Sequence, residues 1–293
     1  MNEIPGQLDL WRRLFSERAE SLFSSRREIP GKLREAMSYA MMAGGKRLRP
    51  LLVLSSCRAA GGTDERALPA ALAVEMIHTY SLIHDDLPAM DDDDLRRGRP
   101  TTHVIFGEAM AILAGDALHT MAFETLAGAN LPAARIRAQV ATLARAAGPG
   151  GMAGGQVLDL LAEGQEPSEE LVSHIDRLKT GALLAASHRL GAEAAGGETS
   201  LLERLEEVGE RVGLAFQMQD DILDQTATSE QLGKTPGKDQ AAGKVTWPAV
   251  VGIEETGRRA RMLVQQALDL LEPLGPRAAA LRHLTRLAVE RHN

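Results

Sequence analysis

Aromatic residues are scarce in this 293-residue chain: five Phe, two Tyr and two Trp. Its core must therefore be built from aliphatic side chains and the 11 Met, and stacking platforms for single-stranded nucleic acid are not expected. Positive charge is also short. Lys and Arg total 33 against 40 Asp and Glu, a net charge of −7, whereas nucleic-acid binding needs a basic footprint. The only cysteine, Cys57, excludes an internal disulfide and a multi-cysteine metal site; lying in the apolar run Leu51–Cys57, it reads as a small buried residue. No run of about 18 apolar residues is present, so no membrane span is expected. The first residues lack a basic stretch followed by an apolar one, so no secretory leader is expected and the expected location is cytoplasmic.

What is present reads as helix after helix. Apolar residues recur three and four apart through Leu68, Ala71, Leu72, Met76, Leu82 and Ile83, and again over Leu201–Leu223. Alternating β-branched runs of strand length are missing, and alanine is abundant. Punctuation is by proline and glycine. Pro30-Gly31 opens a helix, Gly44-Gly45 closes it, Pro50 falls in the first turn of the next, and Gly61-Gly62 ends that one. The span between Pro167 and Pro236 predicts two long helices parted near Gly196-Gly197. The expectation is an all-α fold of roughly ten to twelve helices, a single domain over residues 1–293 built around a central cavity.

The charge is unevenly distributed. Six of the ten residues from Asp85 to Asp94 are aspartate. Carboxylates so close raise one another's pKa unless cations neutralise them, and Mg2+ binds typically through one or two carboxylates plus phosphate oxygens. A solvated acidic loop is the alternative. Against it stand the start of the run at a helix end, where acids oppose the helix dipole, the turn forced by Pro88, and the guanidinium forks of Arg96 and Arg97 that follow. A second acidic segment is Gln217, Asp220, Asp221 and Asp224, which share one stripe of an otherwise apolar helix. Three acids there are costly unless paired or metal-bound. Cations lie apart: Lys46 and Arg49 at a helix start, Lys179 beside Thr180, and Lys234 and Lys244 beside glycines. His78 falls seven residues before Asp85, on roughly the same helix face. Two carboxylate clusters and several separate cations suit a substrate carrying diphosphate, and an apolar helical cavity would shield a carbon cation left by its departure. No G-x-S-x-G, H-E-x-x-H or P-loop motif is present.

These residues resemble the trans-isoprenyl diphosphate synthases, most closely the bacterial farnesyl branch. The likeness runs from Gly44-Gly-Lys-Arg-Leu-Arg-Pro50 through Asp85–Thr101, Gly154–Asp159, Lys179–Leu183 and Phe216–Asp224 to Gly243–Pro248. It implies that Asp85, Asp86 and Asp91 hold Mg2+ on one wall and Asp220, Asp221 and Asp224 on the facing one, with three Mg2+ in all. Asp85, Asp86, Asp91, Asp220, Asp221 and Lys179 would form the catalytic set. Arg96, Lys179, Thr180, Gln217, Lys234 and Lys244 would contact an allylic diphosphate; Lys46, Arg49, His78 and Arg97 would hold isopentenyl diphosphate. A homodimer is implied. Tyr80, about 7.5 Å along the helix from Asp85, with Ser81 beside it, would set chain length as the tunnel floor. That aromatic and the inserted Pro88-Ala89 point to a fifteen-carbon product. The alternatives are a geranylgeranyl or geranyl synthase on the same scaffold, a non-catalytic helical subunit, and a terpene cyclase, which would need no isopentenyl site. One departure is Trp247, where the family more often has Tyr.

Overall fold

A computed structural model of the chain describes residues 3–226 and 244–290. Its elements run α1 (Glu3–Ser25), α2 (Gly31–Met41), α3 (Leu48–Ala59), α4 (Asp64–Asp85), α5 (Thr102–Phe106), α6 (Glu108–Ala127), α7 (Ala133–Ala147), α8 (Met152–Ala162) and α9 (Glu169–Asp176). A π-helical turn (Arg177–Gly181) leads straight into α10 (Ala182–Ala195); α11 (Thr199–Thr226), α12 (Trp247–Val251), α13 (Ile253–Leu271), a 3-10 segment (Glu272–Ala278) and α14 (Ala279–Leu287) follow. The expected all-α class is observed. Helices begin and end where proline and glycine were read as punctuation: α2 at Gly31, α3 before Gly61-Gly62, and the two long stretches on either side of Gly196-Gly197.

Apolar periodicity explains which faces are buried. On α1, Leu8, Trp11, Phe15, Ala19 and Phe23 recur at three and four and are all buried. α4 and α10 are buried on most sides, as Ala-rich helices without a polar face must be. They pack on each other and on α3, with α6 and α7 outside. One continuous hydrophobic cluster extends from Leu8 to Ala288.

Two local features were not expected. Among the described residues the only strands are Leu95–Arg96 and Arg99–Pro100, an antiparallel pair two residues long. Arg97 and Gly98 both take positive φ (56° and 71°), which matches the twist of a two-residue hairpin turn, so the acidic run doubles back immediately after its last aspartate. The second is the π turn. Its backbone is pressed from both sides: a Cβ on Gly155 of α8 would collide with the Lys179 backbone, and one on Gly213 of α11 would lie 2.7 Å from the Gly181 Cα. The glycines let α8 and α11 close on this turn, and single π turns often mark functional positions. It carries Lys179 and Thr180.

Candidate active site

α4 ends on Asp85, with Asp86 as its C-cap, and the loop after Pro88 folds back so that the Asp91 N–H donates to the Asp85 carbonyl (2.9 Å). α11 runs along the opposite side, and the π turn and the 244–246 segment close the ends. Between them lies a cavity of ≈ 500 Å3 whose wall includes Asp85, Asp91, Asp159, Asp176 and Asp221, the cations Arg96, Lys179 and Lys244, and Gln217. The two acidic segments recognised in the sequence therefore share one cavity, together with three of the expected diphosphate-binding cations.

Contacts across it are specific. Lys179 Nζ sits 2.6 Å from Asp159 Oδ2 of α8, and Lys244 Nζ 3.4 Å from Asp91 Oδ1. Thr180 Oγ1 donates to Gln217 Oε1 (3.0 Å), and Gln217 Nε2 donates to Asp221 Oδ1 (2.9 Å). Asp86 is arranged differently from Asp85. It is buried, and Arg96 reaches its Oδ1 through both Nε (2.7 Å) and a terminal nitrogen (2.6 Å). Arg96 thus lines the cavity while tethered to the acidic turn. Asp220 and Asp224 follow on the same helix, Asp220 half-buried and Asp224 buried one turn beyond it. Lys234 lies outside the described residues.

Burial shapes the electrostatics. It is the largest influence raising the Asp85 carboxyl to about 6; Asp91 and Asp86 add to the rise, while Lys179 and Arg96 oppose it. Asp86 is raised as well, first by burial, against the pull of Arg96. Asp176 is pushed well above the usual carboxylate range by burial and then by Asp221. Carboxylates crowded beyond what local cations offset are a favourable setting for a hard cation, and the donor set is all oxygen. Among the described residues no three acidic, His or Cys side chains converge into a preformed cage, so a metal here would complete its shell with ligand oxygens.

The second cationic set gathers around His78, about two helical turns before Asp85 on α4. His78 is pushed well below its ordinary value by burial and then by Arg49 and Arg97, with Arg96 and Arg47 contributing. The imidazole is therefore neutral, and the positive charge there resides on guanidinium groups. Arg97 donates to the Gly44 carbonyl, joining the hairpin to the glycine turn before α3. Lys46 is exposed in that turn. Nothing local in the chain points to the buried partners of Arg47, which donates to Glu75 of α4 (2.8 Å) and to the Met41 carbonyl (2.6 Å) and so ties this turn to the core. Tyr80 is half-buried and faces α6, its ring edge-on to His119 (4.8 Å) and His84 (5.7 Å); His119 in turn meets Phe123 (5.3 Å). The Ser81 hydroxyl donates to the His78 carbonyl (2.9 Å).

Two wall residues, Asp159 and Asp176, and Trp247 directly after the wall segment 244–246 are not identified as site residues by the sequence. Asp159 stood inside a recognised motif without a role. Asp176 is a lone acid in an amphipathic helix and carries no local signal, and Trp247 offers the sequence reader only apolar bulk. In the structure Trp247 donates its backbone N–H to Asp221 Oδ2 (2.9 Å) and its indole N–H to Asp176 Oδ2 (2.7 Å).

Comparison with known proteins agrees with this geometry. The polyprenyl synthetase family profile matches residues 30–272. A farnesyl diphosphate synthase of Escherichia coli (strain K12) is 49% identical over 258 residues, covering 87% of this chain and 86% of that protein. The large subunit 1 of a chloroplastic heterodimeric geranylgeranyl pyrophosphate synthase of Arabidopsis thaliana is 49% identical over 249 residues, covering 83% of this chain and 67% of its own length. Among solved structures, an FPP/GFPP synthase from Zymomonas mobilis superposes with a TM-score of 0.85 at 37% identity, covering 97% of this chain and 99% of that one.

Proposed function

We propose that this chain, which belongs to the polyprenyl synthetase family, condenses dimethylallyl and then geranyl diphosphate with isopentenyl diphosphate and releases (E,E)-farnesyl diphosphate. The observation that carries this reading is the pairing of two sites. One is an acid-walled cavity that also holds Lys179, Lys244 and Arg96; the other is the cluster of Arg49, Arg97 and Arg47 around a neutral His78.

In this reading Lys179, Lys244, Arg96, Thr180 and Gln217 bind the allylic diphosphate, with Lys234 from the segment after Gly233. Bound Mg2+, three ions as in the family resembled, would be held by Asp85 and Asp91 opposite Asp220, Asp221 and Asp224, and would supply charge neutralisation for the leaving diphosphate. Asp86 holds Arg96 in place. Arg49, Arg97 and Lys46 take the isopentenyl diphosphate, and His78 contributes a hydrogen bond rather than a charge. The allylic C–O bond breaks, the isopentenyl double bond forms the new C–C bond, and the proton lost from the adduct passes to the departing diphosphate. Leu82, Met90, Ile175 and Val245 in the cavity wall keep water from the cation.

Tyr80, braced by His84 and His119, is the proposed floor that stops growth at fifteen carbons, with Ser81 beside it. Geranylgeranyl diphosphate is the second reading, favoured by the name of the Arabidopsis relative. The proposal includes one domain, a homodimer and a cytoplasmic location. Exposed Val104, Ile105, Ile112 and Leu113 on α5 and α6 are the apolar surface a second copy would cover. No helix among the described residues is long and apolar enough to cross a membrane.

The test is turnover by the purified chain alone with Mg2+ and both substrates, followed by chromatography of the dephosphorylated products. A fifteen-carbon alcohol is expected, and Asp85→Ala should cost on the order of a hundredfold or more in kcat. A dominant twenty- or ten-carbon product would defeat the farnesyl reading. No turnover would return the chain to a non-catalytic subunit.

A further inference from the structure

Asp176 and Asp221 are buried acids from different elements, close enough that the charge of Asp221 raises the pKa of Asp176. Each has a fixed donor, and both donors belong to Trp247. Trp247 is 3% exposed and begins α12, directly after the cavity-lining residues 244–246. The Arg259 guanidinium caps its ring at 5.9 Å and is itself held to Glu169 of α9 at 2.6 Å. The tryptophan is thus gripped by both ends of α9.

Its two bonds close a ring of contacts. From Trp247 the ring passes to Asp221, then Gln217, then Thr180 in the π turn, and back along the chain to Asp176, the last residue before that turn. An indole N–H is donor-only and does not titrate, so it serves an acceptor oxygen whichever protonation state the acid adopts. The ring fixes the π turn, which presents Lys179 and Thr180, against α11, which presents Gln217 and Asp221. The residues around His78 supply none of the ring's bonds.

We propose that Trp247 is a positioning residue for the allylic half-site, its indole N–H holding Asp176 so that the π turn and α11 keep their register. This inference rests on the prenyl-transfer reading above. It assigns Asp176 a role as an acceptor for Trp247 rather than as a ligand.

The experiment compares Trp247→Phe, Asp176→Leu and Asp176→Asn with the wild type. Trp247→Phe keeps an aromatic ring and the backbone donor to Asp221 and removes the indole N–H with part of the ring's bulk, for which the Asp176 variants, leaving Trp247 intact, are the control. The allylic KM should rise about tenfold in Trp247→Phe and Asp176→Leu, the worth of one buried hydrogen bond, while the isopentenyl KM stays within about twofold. Asp176→Asn, whose amide oxygen still accepts from the indole, should recover most of the loss. Calorimetric binding of inorganic diphosphate with Mg2+ should weaken by the same factor in the same two variants. Equal rises in both KM values, unchanged values in a folded Trp247→Phe, or an Asp176→Asn as impaired as Asp176→Leu would each overturn the proposal. Should Trp247→Phe fail to fold, the two Asp176 variants decide alone. A wild type that binds diphosphate but yields no prenyl product defeats the functional reading instead, and the binding comparison still tests the ring.

Discussion

At the scale of single residues, burial decides what an ionisable group can do here. Cys57 shows the simplest case: enclosed in the core, its thiol is pushed up to about 11, so it remains a protonated, inert filler as its apolar neighbourhood predicted. Tyr80 is more informative. One of two tyrosines in an aromatic-poor chain, it is partly buried against α6, and the edge-on rings of His84 and His119 hold its side chain. An aromatic ring fixed in this way is a rigid stop, whereas a flexible side chain would yield to a growing prenyl tail. Tyr80→Ala should therefore move the main product from fifteen to twenty carbons, as read by chromatography of dephosphorylated products. An unchanged fifteen-carbon product would remove Tyr80 from the role of floor. The position of Tyr80 was legible because helix rise converts five residues into a distance. Its partner His119 was not, because it lies on a different helix and only tertiary packing brings the two together.

At the scale of elements, the π turn is where the fold and the candidate site meet. Gly155 and Gly213 admit it from two sides, and the direct approach of Gly213 to the Gly181 Cα leaves no flexible side chain to absorb an added methyl group. Gly213→Ala should lower stability by about 1–3 kcal/mol through overpacking and raise the allylic KM by displacing Thr180 and Lys179. Gly6→Ala is the matched control. Gly6 is a helical glycine with nothing among the described residues within 4 Å of an added Cβ, so that change should be neutral or stabilising by up to about 1 kcal/mol. Urea unfolding of both variants checks the pair, and equal losses would show that helix propensity rather than close packing governs position 213. Helix ends were legible from Pro30-Gly31, Gly61-Gly62 and Gly196-Gly197 because proline and glycine act locally. The π turn was not, because Gly155 and Gly213 look like ordinary helical glycines until a partner backbone presses on them. The acidic stripe on α11 was legible in part: periodicity grouped Gln217 and Asp221, which line the cavity, whereas the burial of Asp224 follows from tertiary packing alone.

At the scale of the whole molecule, α10 is the helix around which the others assemble, and it buries an imidazole. His188 is wholly buried; its Nδ1 lies 2.9 Å from the Leu184 carbonyl, and its Nε2 is buried without a hydrogen-bond partner among the described residues. Gly209 of α11 permits the close approach that encloses it. Burial drives its pKa down to about 4, against about 6.5 in the unfolded chain. The sign follows from where the proton binds. Above pH 6.5 both states carry a neutral imidazole and nothing is lost. As pH falls from 6.5 towards 4, the unfolded chain takes up a proton that the folded chain refuses, and stability declines; below 4 both are protonated and the loss levels off. The full shift corresponds to about 3 kcal/mol, a substantial share of a typical domain's stability. Raised acids such as Asp85, Asp86 and Glu193 act in the opposite direction over part of the same range, since protonation on acidification favours their folded form. The total pH profile therefore mixes both signs, and the His188 contribution must be isolated by difference. His188→Leu replaces the imidazole with an apolar side chain that does not titrate. Urea midpoints at pH 7.5 and 4.5 should show the wild type losing about 2–3 kcal/mol more than His188→Leu over that interval. Parallel losses in the two proteins would mean that the imidazole is hydrated or protonated inside the fold, and that α10 does not seal it from solvent.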